Sequence, residues 1–148
     1  LALARQEAEP LISALKSLPR IPERGQWAQF LRGHDELDLG RLTRAQREEV
    51  FKAFGPDPAM QLYDRGIRRR LAPMLGNDVA RIEMAHSLIF SLPGTQVIRY
   101  GDEIGMGDDL SLSERLAVRT PMQWSDGPNA GFSAAPPDRL IRPVIDIG

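Results

Sequence analysis

Residues 30–36 read FLRGHDE, an apolar run that stops at an imidazole, His34, and two carboxylates, Asp35 and Glu36. An imidazole beside a carboxylate can orient a polyol through its hydroxyls. An ionised carboxylate can also stabilise positive charge that develops in a transition state. The same triplet fits a solvated or capping acid, because charged residues flank many strands. A second acidic group, Asp102, Glu103, Asp108 and Asp109, offers oxygen ligands but lacks the alternating spacing and terminal glutamate of a calcium loop, so no metal is expected there. Arg68, Arg69 and Arg70 read as the solvated face of a helix, the alternative being an anion or nucleic-acid patch whose affinity would fall steeply with salt. His86 lies one position off an apolar stripe, where a satisfied or surface histidine belongs. Gly101, Gly105 and Gly107 have the wrong spacing for a nucleotide fingerprint and open no helix.

Composition narrows the partners. Lys and Arg number 19 and Asp and Glu 20, a formal charge of −1, so no global field draws the molecule to nucleic acid or to an anionic membrane. Cysteine is absent, which removes disulfide, thiolate and zinc-thiolate chemistry together. No apolar run approaches the ~20 residues of a membrane span, and the N-terminus lacks a basic-then-apolar leader pattern. A cytoplasmic protein with a small or neutral ligand, no membrane partner and no nucleic acid is the expectation. At 148 residues the chain could form one modest domain, yet it is well short of the roughly 250 residues usual for a (β/α)8 barrel.

The elements that must position the polar triplet follow from periodicity. Residues 10–18 (PLISALKSL) place Leu11, Ile12, Leu15 and Leu18 on one stripe, with Pro10 in the first turn and Pro19 ending the run. Residues 26–31 (QWAQFL) read as a strand, which puts the triplet at its C-terminal end. Thr43 and Gln46 have capping-box spacing and open a helix to about Phe54. Residues 59–75, broken by Gly66 and Pro73, read as short helical pieces. Asp78 is placed to cap a helix over 79–92 with Val79, Ile82, Ala85, Ile89 and Leu92 on its stripe, stopped by Pro93 and Gly94. A second strand, 95–100 (TQVIRY), again ends in acids. Beyond Ile104 the chain reads as a long loop with one or two helical turns, closing at 143–148 without an obvious terminating element. Strands alternating with helices point to an α/β fold of parallel βαβ units, in which functional groups gather at the C-terminal ends of strands.

Four ordered blocks carry a more specific likeness: FLRGHDELDL (30–39), GIRRRLAPML (66–75), SLPGTQVIRYGDEIGMGDD (91–109) and RLAVRTPMQWSDGPNAGFS (115–133). With them the chain resembles the α-amylase superfamily of glycoside hydrolases and transglycosidases, most closely its trehalose synthase branch. The resemblance implies a partial TIM (β/α)8 barrel over 1–148, namely the last two strands with their helices and a long loop after strand eight. It also implies a small α-glucoside substrate, maltose or trehalose, with interconversion of the two as the parent activity, and no cofactor or metal.

Position by position, Asp35 matches the family's third catalytic carboxylate, which grips ring hydroxyls and stabilises the oxocarbenium-like transition state. His34 matches a histidine that binds sugar hydroxyls, Arg119 an arginine that clamps the non-reducing end, and Glu103 an acid near the pocket. The family's nucleophile and acid/base carboxyls, about 5 Å apart in a retaining mechanism, belong to strands before the FLRGHDE block. The chain alone is therefore expected to be inactive, with the missing part of the barrel as a partner. A non-catalytic remnant or carbohydrate-binding module of the same ancestry is the alternative. Three positions depart from the pattern: Gly33 where Asn is usual, Gln96 where Pro is usual, and Arg99 where an aromatic or apolar residue is usual. An arginine in a buried strand must find a partner or reach water.

Overall fold

A computed structural model describes residues 1–142 and 144. The regular elements in chain order are α1 (Ala2–Arg5), α2 (Glu9–Lys16), β1 (Ala28–Gln29), β2 (Leu37–Asp38), α3 (Arg44–Phe54), β3 (Gln61–Leu62), β4 (Gly66–Ile67), α4 (Leu71–Met74), α5 (Val79–Ser91) and β5 (Thr95–Gln96). Apart from Val144, the closing stretch 143–148 lies outside the described residues.

Local signals produce the helices. The Thr43 hydroxyl accepts from the Gln46 amide and the Gln46 side chain accepts from the Thr43 amide, so two free N–H groups are satisfied reciprocally at the start of α3. Helix α3 then buries Val50 and Phe54. Asp78 caps α5 by accepting from the Arg81 amide. Only the Ala85 and Ile89 part of the α5 stripe is buried, and Val79 is 66% exposed. Helix α2 forms where the stripe predicts but buries no residue. Leu39, Val50, Phe54, Ile67, Leu71, Leu75 and Ala85 make one apolar core between α3, β4, α4 and α5.

β1 and β5 pair in parallel, Ala28 against Thr95 and Gln29 against Gln96, so the expected parallel unit is present. Of the three helices between them in sequence, α3, α4 and α5, the last leads directly into β5. Gly94 is required at this junction: its φ is +117°, and a Cβ there would stand 2.3 Å from the Trp27 carbonyl oxygen. The ladder is shorter than the six-residue runs expected on each side, ending with the Val97 amide on the Gln29 carbonyl. Phe30, Val97, Ile98 and Tyr100, just past the ladder, are all between 42% and 61% exposed, so these apolar side chains are left partly uncovered.

Residues 59–75 correct the expectation of helical pieces. Beyond a 3-10 turn over Pro58–Met60 they form an antiparallel hairpin, β3 on β4, with β2 on the other edge of β4, and only then the short α4. Tyr63 and Asp64 take positive φ in its turn. The arginine run is corrected with it, since residues 68–70 leave a strand and point into the molecule. Arg70 is fully buried against Asp102 at 2.9 Å, and Arg69 pairs with Asp108 at 2.9 Å. Arg68 donates to the carbonyls of Leu110, Leu112 and Glu114 at 3.0, 2.6 and 3.3 Å. The reason is accounting of backbone groups: the loop after β5 has no ladder, and guanidinium donors satisfy its carbonyls instead.

Candidate functional site

The backbone after β1 carries His34 and Asp35 to the C-terminal end of the parallel pair, where the loop following β5 also arrives. Asp35 Oδ1 accepts from Arg119 Nη2 at 2.7 Å and stands 3.5 Å from Arg115 Nε, and Asp35 Oδ2 is 3.6 Å from His34 Nε2. Arg119 Nε donates to the His34 carbonyl at 2.8 Å. His34, Asp35 and Arg119 are thus brought together from residues 84 and 85 positions apart in the chain. Glu36, one residue on, is turned inward: its side chain is 5% exposed and takes a bidentate pair from Arg115 at 2.6 and 3.1 Å.

Electrostatics differ between the two acids. Partial burial pushes the Asp35 carboxyl up, but the Arg119 hydrogen bond and the charges of Arg115, His34 and Arg119 together outweigh it and hold the group below the usual carboxylate range. The Arg115 hydrogen bond is the largest influence on Glu36 and lowers it likewise. Both acids are therefore anions at neutral pH. Asp35, with its side chain 45% exposed, can accept hydrogen bonds from an incoming ligand, whereas Glu36 is already bonded to Arg115.

Phe30, Gly33, His34, Asp35, Arg99 and Arg115 line one hollow of about 980 Å³. Arg119 lines a neighbouring hollow of about 620 Å³ with Tyr100, Trp124 and Phe132, and Tyr100 borders both. Glu103 is not in either. It is exposed and lines a third hollow with His86, Phe90 and Ile98, and Ile98 borders the Asp35 hollow as well. His86 Nδ1 contacts the Ile82 carbonyl at 3.0 Å within its own helix, the satisfied state expected of it. Asp102 and Asp108 are taken up by Arg70 and Arg69, and among the described residues no three His, Asp or Glu side chains converge on a common point for an ion.

The three departures have structural readings. A Cβ on Gly33 would meet nothing within 4 Å. Gln96 Nε2 donates to the Ile89 and Leu92 carbonyls at 3.4 and 3.0 Å, closing the C-terminal end of α5 as no proline could. Arg99 is 8% exposed, donates to the Gly33 and Val118 carbonyls and lies 5.4 Å from the Tyr100 ring centroid. Sequence reasoning missed Arg115 and Arg32 as members of the site. The available signals were an arginine four positions before Arg119 and a lone charge inside the apolar run 30–32.

Comparison with known proteins gives the family. The family described as Alpha amylase, catalytic domain, matches residues 63–142. A trehalose synthase of Thermus thermophilus is 47% identical over 148 residues, all of this chain and 15% of that protein. A trehalose synthase/amylase of Mycolicibacterium smegmatis is 48% identical over 143 residues, 97% of this chain and 24% of that protein. The human amino acid transporter heavy chain SLC3A1 is 42% identical over 73 residues, 45% of this chain and 10% of that protein. The chain thus spans a quarter or less of the length of these relatives. With more than half of it inside the catalytic-domain match, the chain belongs to the α-amylase family.

Proposed function

We propose that the chain supplies one wall of an α-glucoside pocket in a (β/α)8 enzyme of the trehalose synthase type, through its last two barrel strands, the helix between them and the loop after strand eight. The observation that carries the reading is the convergence of His34, Asp35 and Arg119 at the C-terminal end of a parallel strand pair, beside a hollow large enough for a sugar ring. Asp35 serves as the ionised carboxylate that accepts from ring hydroxyls and stabilises positive charge at the anomeric carbon. His34 and Arg119 donate to hydroxyls, and Arg119 keeps Asp35 ionised. Interconversion of maltose and trehalose is the reaction this reading assigns to the whole enzyme, in keeping with the likeness to proteins named trehalose synthase. A retaining mechanism needs two further carboxyls on either side of the glycosidic bond. Glu36, bound to Arg115, is not available for either role.

The test is Asp35→Asn in a polypeptide carrying the whole catalytic domain, assayed for trehalose formed from maltose. Turnover is expected to fall at least about a hundredfold, as when a group that stabilises developing charge is removed. Near-normal turnover removes the assigned role. The chain by itself is expected to form no trehalose, and measurable formation would overturn that part of the reading. Likeness to a transporter heavy chain favours one alternative, a non-catalytic protein of the same ancestry, which predicts loss of turnover in the intact polypeptide as well.

A further inference from the structure

Three consecutive carbonyls, those of Gly33, His34 and Asp35, accept hydrogen bonds from three different arginines. Arg99 Nη1 donates to Gly33 at 2.6 Å, Arg119 Nε to His34 at 2.8 Å, and Arg32 Nη2 to Asp35 at 3.1 Å. Arg32 and Arg99 are only 4% and 8% exposed, and among the described residues neither pairs with a carboxylate. Their other bonds also go to backbone. Arg32 reaches the Arg69 carbonyl at 2.9 Å and the Ile67 carbonyl at 3.2 Å, and Arg99 reaches the Val118 carbonyl.

Burying two guanidiniums side by side without a bonded carboxylate is costly. Burial, with the neighbouring charge of Arg99 next in weight, pushes Arg32 down to about 10. What such a placement supplies is geometry, because a guanidinium has several divergent donors in a rigid plane. Arg32 ties the Asp35 carbonyl to the exit of β4. Arg99 ties the Gly33 carbonyl to Val118, beside Arg119 and the turn bearing Arg115. The two arginines therefore fix the turn 33–35 relative to the cations that face Asp35.

We propose that Arg32 and Arg99 are positioning residues: they clamp the turn 33–35 by its carbonyls and so hold the His34 ring and the Asp35 carboxylate where they meet a ligand. The ligand being a sugar rests on the function proposed above, and the clamp itself does not.

Lysine keeps the charge but loses the divergent donors, so Arg99→Lys and Arg32→Lys are the variants. In each, NMR backbone order parameters at His34 and Asp35 are expected to fall from the ~0.85 of rigid backbone to below about 0.6, with α5 unchanged. Unchanged order at the turn in both variants overturns the proposal. So does loss of order throughout the chain in both, because the arginines would then support the fold and not the turn. In a polypeptide with the whole catalytic domain, kcat on maltose per folded molecule is expected to fall about 10- to 100-fold with KM moving less than about threefold, the signature of a misplaced rather than a missing group. Unchanged kcat per folded molecule overturns positioning of a reacting group. If the unsubstituted polypeptide turns over no α-glucoside, the proposed function has failed, and the order parameters still judge the clamp.

Discussion

At the scale of single residues, two adjacent carboxylates have been given different environments by two arginines four apart. Arg115 takes up Glu36 with a bidentate pair, and Arg119 holds one oxygen of Asp35 while leaving nearly half of that side chain in solvent. Both acids sit below their ordinary values, 4.5 for Glu36 and 3.8 for Asp35. A depressed folded pKa means that the stabilisation is present above the ordinary value and is lost as pH falls through the folded one. Thermal midpoints followed by circular dichroism from about pH 6 down to about pH 3 should therefore decline through the acid range, and Glu36→Gln should start lower and decline less. A Glu36→Gln profile parallel to the parent would show that the Arg115 pair is not a source of the acid sensitivity. The Gly33 departure gives a second check at this scale. With open space where its Cβ would stand, Gly33→Asn should change stability by no more than about 0.5 kcal/mol, measured by urea denaturation. A larger loss would mean that the turn 33–35 cannot bear a side chain.

At the scale of elements, what was legible in the sequence was what is local. The capping box of α3 and the Asp78 cap of α5 depend on residues three apart, and both formed as the spacing predicts. Thr43→Ala should accordingly cost about 1 kcal/mol, seen as a lower urea midpoint with an unchanged slope. A shift within error would show that α3 is held by its Val50 and Phe54 packing alone. Strands β1 and β5 were legible in position but not in length, because how far a ladder runs is set by competing acceptors elsewhere in the chain. Four residues past the last pair, Gln29 with Gln96, the carbonyls of Gly33 and Tyr100 are bonded to Arg99 and Arg70 and not to a strand. The β3–β4 hairpin was hidden by its two-residue strands and by the basic run that follows. Charge runs are read as solvated because burying them is normally prohibitive, and here the loop carbonyls and two aspartates that lift the penalty lie 32 to 46 residues away. The same distance effect hid Arg32 and Arg115, whose partners no local pattern names.

At the scale of the whole molecule, a formal charge of −1 conceals an internal skeleton of arginines that holds the irregular half of the chain in place. From residue 101 to 118 there is no strand and only short 3-10 turns, so that segment has few backbone partners of its own. Arg68 supplies them to Leu110, Leu112 and Glu114, Arg69 takes Asp108, and Arg70 takes Asp102 and the Tyr100 carbonyl. Gly101 fits between these contacts because its φ of +85° turns the chain sharply and a Cβ would stand 2.5 Å from the Met106 sulfur. The site inherits its geometry from this skeleton, since Arg115 belongs to the segment that Arg68 tethers and Arg119 follows directly on it. The Arg70–Asp102 pair, 0% and 4% exposed, is its most buried member. Removing one partner strands the other charge in the interior, so Arg70→Met should destabilise by about 3–5 kcal/mol. Removing both should not cost twice as much: Arg70→Met with Asp102→Leu leaves neither member of the pair stranded, and urea titrations should place the double variant above the Arg70→Met single, the coupling expected of residues in contact. Simple additivity would mean that the two residues stabilise the loop independently, and the tethering of the site by its arginines would then rest on Arg68 and Arg69 alone.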